Sequence, residues 1–325
     1  MKIVDFPSTK KSRRLAEKYG YDEFIVRRWL NFFGDEAVNL IKAIENGLPK
    51  YIRINTIKID EDRLLKKLNK RGFVLSKTDI PFCYMVKEEP YSIGATPEYL
   101  MGYYYVMDKS SCIPPLALNP KKGDVVVDFA ASPGGKTTFI SQLMGNRGVI
   151  IAIEANKERI QPLIDNVHRM GCLNIAILNM NAVKFNQLNI KVDKILLDAP
   201  CTGEGIIHKD KTRKVSRGKE DIEFCHSLQF DLIKSAFESL KKDGMLVYST
   251  CSLTPEENEM VIDALLNEYN GKATVEEVDW GDEAFVSIPN TKIKFNKQLR
   301  KARRFYPHKH ETSGFFVAKI RKLEG

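Results

Sequence analysis

From about residue 120 the chain repeats one unit, a short apolar run that stops at a polar residue and leads into a stretch of helical periodicity. The runs are DVVVDF, GVIIAIE, NIAILNM, VDKILLDAP and GMLVYST. The first passes into a helix from Lys136, and the second into ANKERIQPLIDNVHRMG, where Ile160, Leu163, Ile164 and Val167 form one apolar stripe. Apolar strands alternating with amphipathic helices predict an α/β architecture, a mostly parallel sheet with helices on both faces. Such sheets bind ligands outside the carboxyl ends of their strands. Here those ends carry Asp128, Glu154, Asp198 and Cys251.

The first half reads differently. Phe24, Trp29, Leu30, Phe33, Val38, Ile41 and Ile44 recur at helical spacing over residues 12–48, with Gly34-Asp35 as punctuation. YIRINTIKI alternates like a strand, DEDRLLKKLNKRG reads as a helix, and FVLSKTDIPFCYMV supplies further strand material. The pattern predicts a small α+β domain over residues 1–95 and a catalytic α/β domain over 96–325, with SIGATPEYLMGYYYVMDKSSCIPPLAL as the link. At 325 residues, 43% hydrophobic and 29% charged, the chain has material for two soluble domains. No apolar run is long enough to span a bilayer, and MKIVDFPSTKKSRR lacks the core of a secretory signal, so a cytoplasmic protein is expected. The net charge of +9 favours a polyanionic partner.

The turn in VVVDFAASPGGKTTFI nearly spells a phosphate-binding loop. Gly135, Lys136 and Thr137 fit, but Ala130 stands where that loop needs glycine, and Pro133 removes an amide that would cradle phosphate. Glu154, closing the next strand, suits the diol of a ribose, or it serves only as a capping acid. A nucleoside carrying an ammonium group, as S-adenosylmethionine does, matches a small-residue turn flanked by carboxylates better than a triphosphate.

None of the six cysteines forms a CxxC pair, and the five histidines show no metal-ligand spacing, so no metal is expected. Two cysteines stand in motifs, Cys201 in DAPCTGEGI and Cys251 in STCSLTPEENE, each just beyond a strand. Methyl transfer to oxygen or nitrogen needs no thiol. C5 of a pyrimidine becomes nucleophilic only when something adds to C6, and a thiolate can do so while an adjacent acid such as Asp198 supports N3. Chemistry alone does not order the two cysteines.

With these motifs in place, the sequence resembles the Sun (Fmu-like) family of RNA cytosine-C5 methyltransferases, and within it the archaeal tRNA-modifying branch. The resemblance runs from RINTIK through GATPEYLMGYYYVMDKSS, DFAASPGGKTT, DAPCTGEGI and STCSLTPEENE to GFFVAKI. It implies a Rossmann-like class I methyltransferase fold preceded by a small RNA-binding domain, with S-adenosyl-L-methionine as cofactor. It makes Ala130, Ala131, Ser132, Pro133, Gly134, Gly135 and Lys136 the cofactor loop and puts Glu154 on the ribose. Arg159, Asn181 and Asp198 are further cofactor contacts. It implies Cys251 as nucleophile, Cys201 as the thiol assisting product release, and Asp198 between cofactor and base. The family usually has aspartate where Asn181 stands; asparagine still accepts a hydrogen bond.

RNA contacts are expected first in HKDKTRKVSRGK, from Lys209, Lys211, Arg213 and Lys214. Arg304 in QLRKARRFYPHKH comes next, then Lys10, Lys11, Arg13 and Arg14. The reading that follows is a monomeric RNA cytosine-C5 methyltransferase acting on tRNA. Its rivals are an rRNA enzyme of the same family, a P-loop ATPase and a catalytically silent RNA-binding scaffold.

Overall fold

Helical periodicity before residue 48 resolves into three helices, α1 (Lys10–Tyr19), α2 (Glu23–Phe33) and α3 (Glu36–Asn46). Thr9 and Ser12 close a capping box at the start of α1, and Gly20, at φ 69°, ends it in the left-handed conformation. Asp22 then caps α2 by accepting from the Phe24 amide.

Next come β1 (Lys50–Ile54), α4 (Glu61–Asn69), β2 (Val74–Lys77), β3 (Cys83–Glu88), α5 (Pro97–Leu100) and β4 (Tyr104–Val106). They make an antiparallel sheet of order β2-β3-β1-β4. The segment expected to be a link therefore supplies a strand, with Ile52 opposite Val106 and Ile54 opposite Tyr104. Only three residues long, it carries too little alternation to be read from sequence.

After α6 (Ile113–Leu118) the βα repeats begin: β5 (Val125–Asp128), α7 (Gly135–Met144), β6 (Val149–Glu154), α8 (Ile160–Met170), β7 (Ile175–Asn179), β8 (Val192–Asp198), α9 (Lys219–Ser239) and β9 (Leu240–Thr250). The strands lie in the order β9-β8-β5-β6-β7, with β5 parallel to both β6 and β8 and β6 parallel to β7. The chain runs outward from β5 to β7, then returns to the other side of β5 as β8. That reversal is the topological switch point where a crevice opens, and Asp128 and Asp198 end the two strands flanking it. The fold is the mostly parallel α/β arrangement that the repeats predict and the Rossmann-like one that the resemblance implies.

The remaining elements are α10 (Glu259–Glu268), β10 (Ala273–Glu276), β11 (Asp282–Glu283), β12 (Arg303–Phe305) and β13 (Phe315–Lys322), with β12 antiparallel to both β11 and β13. The computed structural model describes residues 3–324 and divides into two units. The first comprises the segment ending at Leu48, Ala199–Ile233 and Ser249–Ile320; the second comprises Pro49–Asp198, Lys234–Tyr248 and the residues from Arg321. In the first, Ile25, Trp29, Leu40 and Ile41 pack with Ile207, Ile222, Leu253 and Tyr306. Burying each such side chain contributes roughly 1.5–3 kcal/mol, which binds three distant stretches of chain into one core. In the second, Ile52, Ile54, Leu64, Leu68, Phe73 and Tyr104 fill the small sheet, and Ala131, Ala152, Leu163, Val167 and Met170 pack β6 and the first turn against α8. Among the described residues no helix is long and apolar enough to cross a membrane.

Candidate active site

In the second unit, β5 delivers Asp128 to the switch point almost fully buried, where Thr137 Oγ1 donates to its carboxylate at 2.7 Å. Burial pushes this carboxyl up to about 6, against the pull of the Thr137 hydrogen bond. The turn that follows is pinned to β6 by the Ala131 amide donating to the Ile153 carbonyl at 2.9 Å. Gly134 adopts φ 101°, and a Cβ there would come within 3.0 Å of Leu163 Cδ1; one on Gly135 would come within 3.1 Å of the Tyr105 ring. Arg53, wholly buried, donates to the Gly135 carbonyl at 2.6 Å and to Thr138 Oγ1 at 3.1 Å, and so ties β1 to the start of α7.

Lys136 leaves the first turn of α7 and donates to Asp198 Oδ2 at 2.6 Å. Glu154, 4% exposed, accepts from the Asn156 amide at 2.9 Å, and Arg159 Nη1 lies 3.6 Å from its other oxygen. Arg159 and Ser132 are joined twice, side chain to backbone in each direction, at 2.8 Å. Arg159 therefore braces both the turn and the strand end. Asn181, exposed, caps the short helical turn Ala182–Leu188 by accepting from the Val183 amide at 3.0 Å. This donor set fits an adenosyl cofactor: Glu154 offers an acceptor for a diol, the turn admits close backbone approach, and Asp198 offers an acceptor for an ammonium group.

In the first unit, the thiols of Cys201 and Cys251 lie 3.2 Å apart, both partly exposed. Their loops are stitched together by the Ala199 amide donating to the Ser249 carbonyl at 2.8 Å and the Gly205 amide to the Cys251 carbonyl at 2.9 Å. Position 205 admits no side chain, since a Cβ would lie 2.0 Å from the Gly314 carbonyl oxygen and 2.7 Å from that of Cys251. Arg213 Nη1 donates to the Thr202 carbonyl at 2.5 Å. Two thiols this close have the chemistry for one to act as a nucleophile and the other as its acid or base.

A model of the family described as 16S rRNA methyltransferase RsmB/F matches residues 115–321, a span containing Asp128, Glu154, Asp198 and both thiols. The chain belongs to this family. It is 39% identical over 320 residues to the human 28S rRNA (cytosine(4447)-C(5))-methyltransferase, covering 95% of this chain and 39% of the human protein. It is 40% identical over 236 residues to the tRNA (cytosine(72)-C(5))-methyltransferase of Pyrococcus horikoshii, covering 72% of this chain and 56% of that one. The crystal structure of a methyltransferase homolog from Pyrococcus horikoshii superposes with a TM-score of 0.89 at 41% identity, covering 97% of this chain and all of that one. The chain spans 39% to 51% of the length of four eukaryotic rRNA methyltransferases that it matches.

The basic residues of this RsmB/F-family chain divide by burial. Lys209 and Lys211 are exposed. Arg213 is half-buried on Thr202 and Asp210, and Lys214 is held by Glu45 at 2.7 Å and the Tyr19 carbonyl at 3.0 Å. Arg304 corrects the sequence reading. It is 0% exposed, forks onto both oxygens of Glu259 at 2.6 and 2.5 Å and donates to the Leu253 carbonyl at 3.0 Å. A guanidinium so saturated cannot reach phosphate; β12 turns it inward, which a run of four basic residues does not reveal.

The N-terminal cluster differs from the one expected: Lys18 and Lys42 line the same cleft as Lys10, Lys11 and Arg14, whereas Arg13 is not among the lining residues and donates to Ser8 Oγ at 3.3 Å. Lys10, Arg14 and Lys18 stand four residues apart, which on a helix is one face, and that spacing was the available signal. The bracing role of Arg53 carried no signal.

Proposed function

We propose that the chain is an S-adenosylmethionine-dependent RNA cytosine-C5 methyltransferase, monomeric and cytoplasmic, with tRNA as its substrate. The observation that carries this reading is the thiol pair. A methyltransferase-like sheet acting on oxygen or nitrogen has no use for two thiols 3.2 Å apart at the end of its strands, whereas C5 chemistry uses both.

In the proposed reaction the target cytosine leaves its stack, at a cost of about a few kcal/mol that pocket contacts offset. Cys251 as thiolate adds to C6. As the thiolate adds, Asp198 in its acid form gives its proton to N3, so that the adduct is a neutral enamine with C5 nucleophilic, and Lys136 Nζ holds the carboxylate left behind. S-adenosylmethionine, gripped by Glu154 and the turn from Ala130 to Gly135, supplies the electrophilic methyl group. A base then takes the C5 proton, the electron pair of that C–H bond re-forms the C5–C6 double bond, and Cys251 leaves as thiolate, with Cys201 assisting.

RNA binding on this reading uses Lys209 and Lys211 together with the basic cleft of α1 and α3. The RNA-binding module proposed for residues 1–95 contributes helices to one unit and three of the four strands of the small sheet to the other. Support for tRNA comes from the archaeal relative named for cytosine 72 of tRNA, and support for rRNA from the relatives named for 28S rRNA. Incubation with methyl-labelled donor and either bulk tRNA or rRNA, followed by nucleoside analysis, tests both. Labelled 5-methylcytidine in tRNA is the expected result; label in rRNA alone moves the substrate, and none in either ends the reading.

A further inference from the structure

The run TPEENE places three acids in the core of the first unit, Glu256, Glu257 and Glu259, all 0% exposed. Two are paired with guanidinium groups, Glu256 with Arg28 at 2.6 Å and Glu259 with Arg304 at 2.5 Å. Glu257 is held differently. Its Oε1 accepts from the Thr202 amide at 2.8 Å and Gln229 Nε2 at 3.1 Å. Its Oε2 accepts from Thr202 Oγ1 at 2.5 Å, from Thr254 Oγ1 at 3.0 Å and from Ser252 Oγ.

Two of these donor residues are the chain neighbours of the thiols. Thr202 follows Cys201, and Ser252 follows Cys251. Gln229 also donates to the carbonyl of Pro200 at 2.8 Å, so the residue before Cys201 is held as well. We propose that Glu257 is a positioning residue that sets the separation of the Cys201 and Cys251 thiols by tying both of their loops to one carboxylate, an inference that rests on the methyltransferase reading given above. A carboxylate suits the task because it is acceptor-only, with two oxygens that each take more than one donor, and its charge strengthens each bond. An amide offers one acceptor oxygen and turns an N–H pair toward donors that cannot accept from it in the same geometry. Side chains that must cooperate in catalysis need their supporting residues locked to about 0.5 Å, and a buried, saturated anion provides that.

The test reads thiol geometry apart from turnover. Dibromobimane fluoresces strongly only when two nearby thiols displace both of its bromides, so its rate of bridging reports the Cys201–Cys251 pair without RNA; Cys201→Ala is the blank. Cys225, whose thiol burial and the Glu257 carboxylate push up to about 12, is changed to Ser in every protein compared, so that loss of that carboxylate cannot bring a third thiol into the reaction. Glu257→Gln is expected to slow bridging at least tenfold and to lower kcat for methyl transfer at least tenfold, with KM for RNA within twofold of wild type. Thr202→Val and Ser252→Ala, each releasing one loop, should give smaller losses that do not deepen when added to Glu257→Gln. Glu256→Gln, which disturbs the Arg28 pair, should lower the melting temperature while leaving the bridging rate unchanged. Wild-type bridging and kcat in a folded Glu257→Gln overturn the proposal. Should that variant fail to fold, unchanged bridging in both Thr202→Val and Ser252→Ala overturns it. Slowed bridging in Glu257→Gln alongside a wild-type protein that methylates no RNA defeats the functional reading and leaves the positioning role standing.

Discussion

Lys136 Nζ sits 2.6 Å from Asp198 Oδ2, joining the first turn of α7 to the last residue of β8. The cofactor turn and the acid proposed to face the base are thus one electrostatic unit, with Lys136 15% and Asp198 29% exposed along their side chains. Charge-assisted hydrogen bonds contribute about 1.5–3 kcal/mol. Lys136→Met should therefore lower the single-turnover methyl-transfer rate about tenfold to a hundredfold, with cofactor affinity by calorimetry reduced much less. Equal losses in both would make Lys136 a cofactor ligand instead.

The two thiols make opposite predictions. Cys251→Ala should bind RNA and cofactor but form no covalent bond to RNA. Cys201→Ala should add Cys251 to the base, transfer the methyl group and stall, giving a slow-migrating band on a denaturing gel. The reverse pattern would make Cys201 the nucleophile.

Arg304 and Lys211 separate structure from RNA binding. Removing one partner of a buried pair costs about 3–5 kcal/mol, so Arg304→Ala should lower the melting temperature markedly. At temperatures where it is folded, its RNA affinity should keep the wild-type salt dependence. Lys209 and Lys211 changed together to Ala should instead flatten the salt slope, by roughly 0.7–0.9 for each phosphate no longer neutralised, while stability is unchanged. Titrations at several salt concentrations read this directly.

Glu204 is a buried acid whose Oε2 accepts from Trp29 Nε1 at 2.9 Å, and burial pushes it up to about 7 from an ordinary 4.5. A raised carboxyl holds its proton more tightly in the folded state, so its contribution to stability is present below pH 4.5 and declines as pH rises toward 7. Glu204→Gln keeps an acceptor for Trp29 without the charge. It should gain on the wild type between about pH 5 and pH 8, by at most about 3 kcal/mol, as a rise in relative melting temperature. A difference that does not change with pH would show that Glu204 does not titrate in this range.

The repeating strands β5 to β9 were legible because each announces itself within a few residues. Apolar β-branched runs ending in Asp128, Glu154 and Asp198 are set by local backbone and side-chain preference, and alternation with helices leaves a parallel sheet as the arrangement that covers both faces. The turn of small residues before α7 was visible for the same reason: its demand for glycine at φ 101° is local.

Other features depend on residues far apart in the chain, and no local rule reaches them. The pairing of β4 with β1, the bond from Lys136 to Asp198 and the seating of Lys214 on Glu45 each join segments that meet only after the core has formed. Arg304 illustrates the consequence: as sequence it is one of four closely spaced cations, and packing alone turned it inward onto Glu259. Amino-acid order by itself determined the kind of sheet and which polar groups stand at its strand ends. Tertiary structure decided which charges face water and which carboxylate holds the two thiol loops, because burial and hydrogen-bond partners are properties of the packed chain.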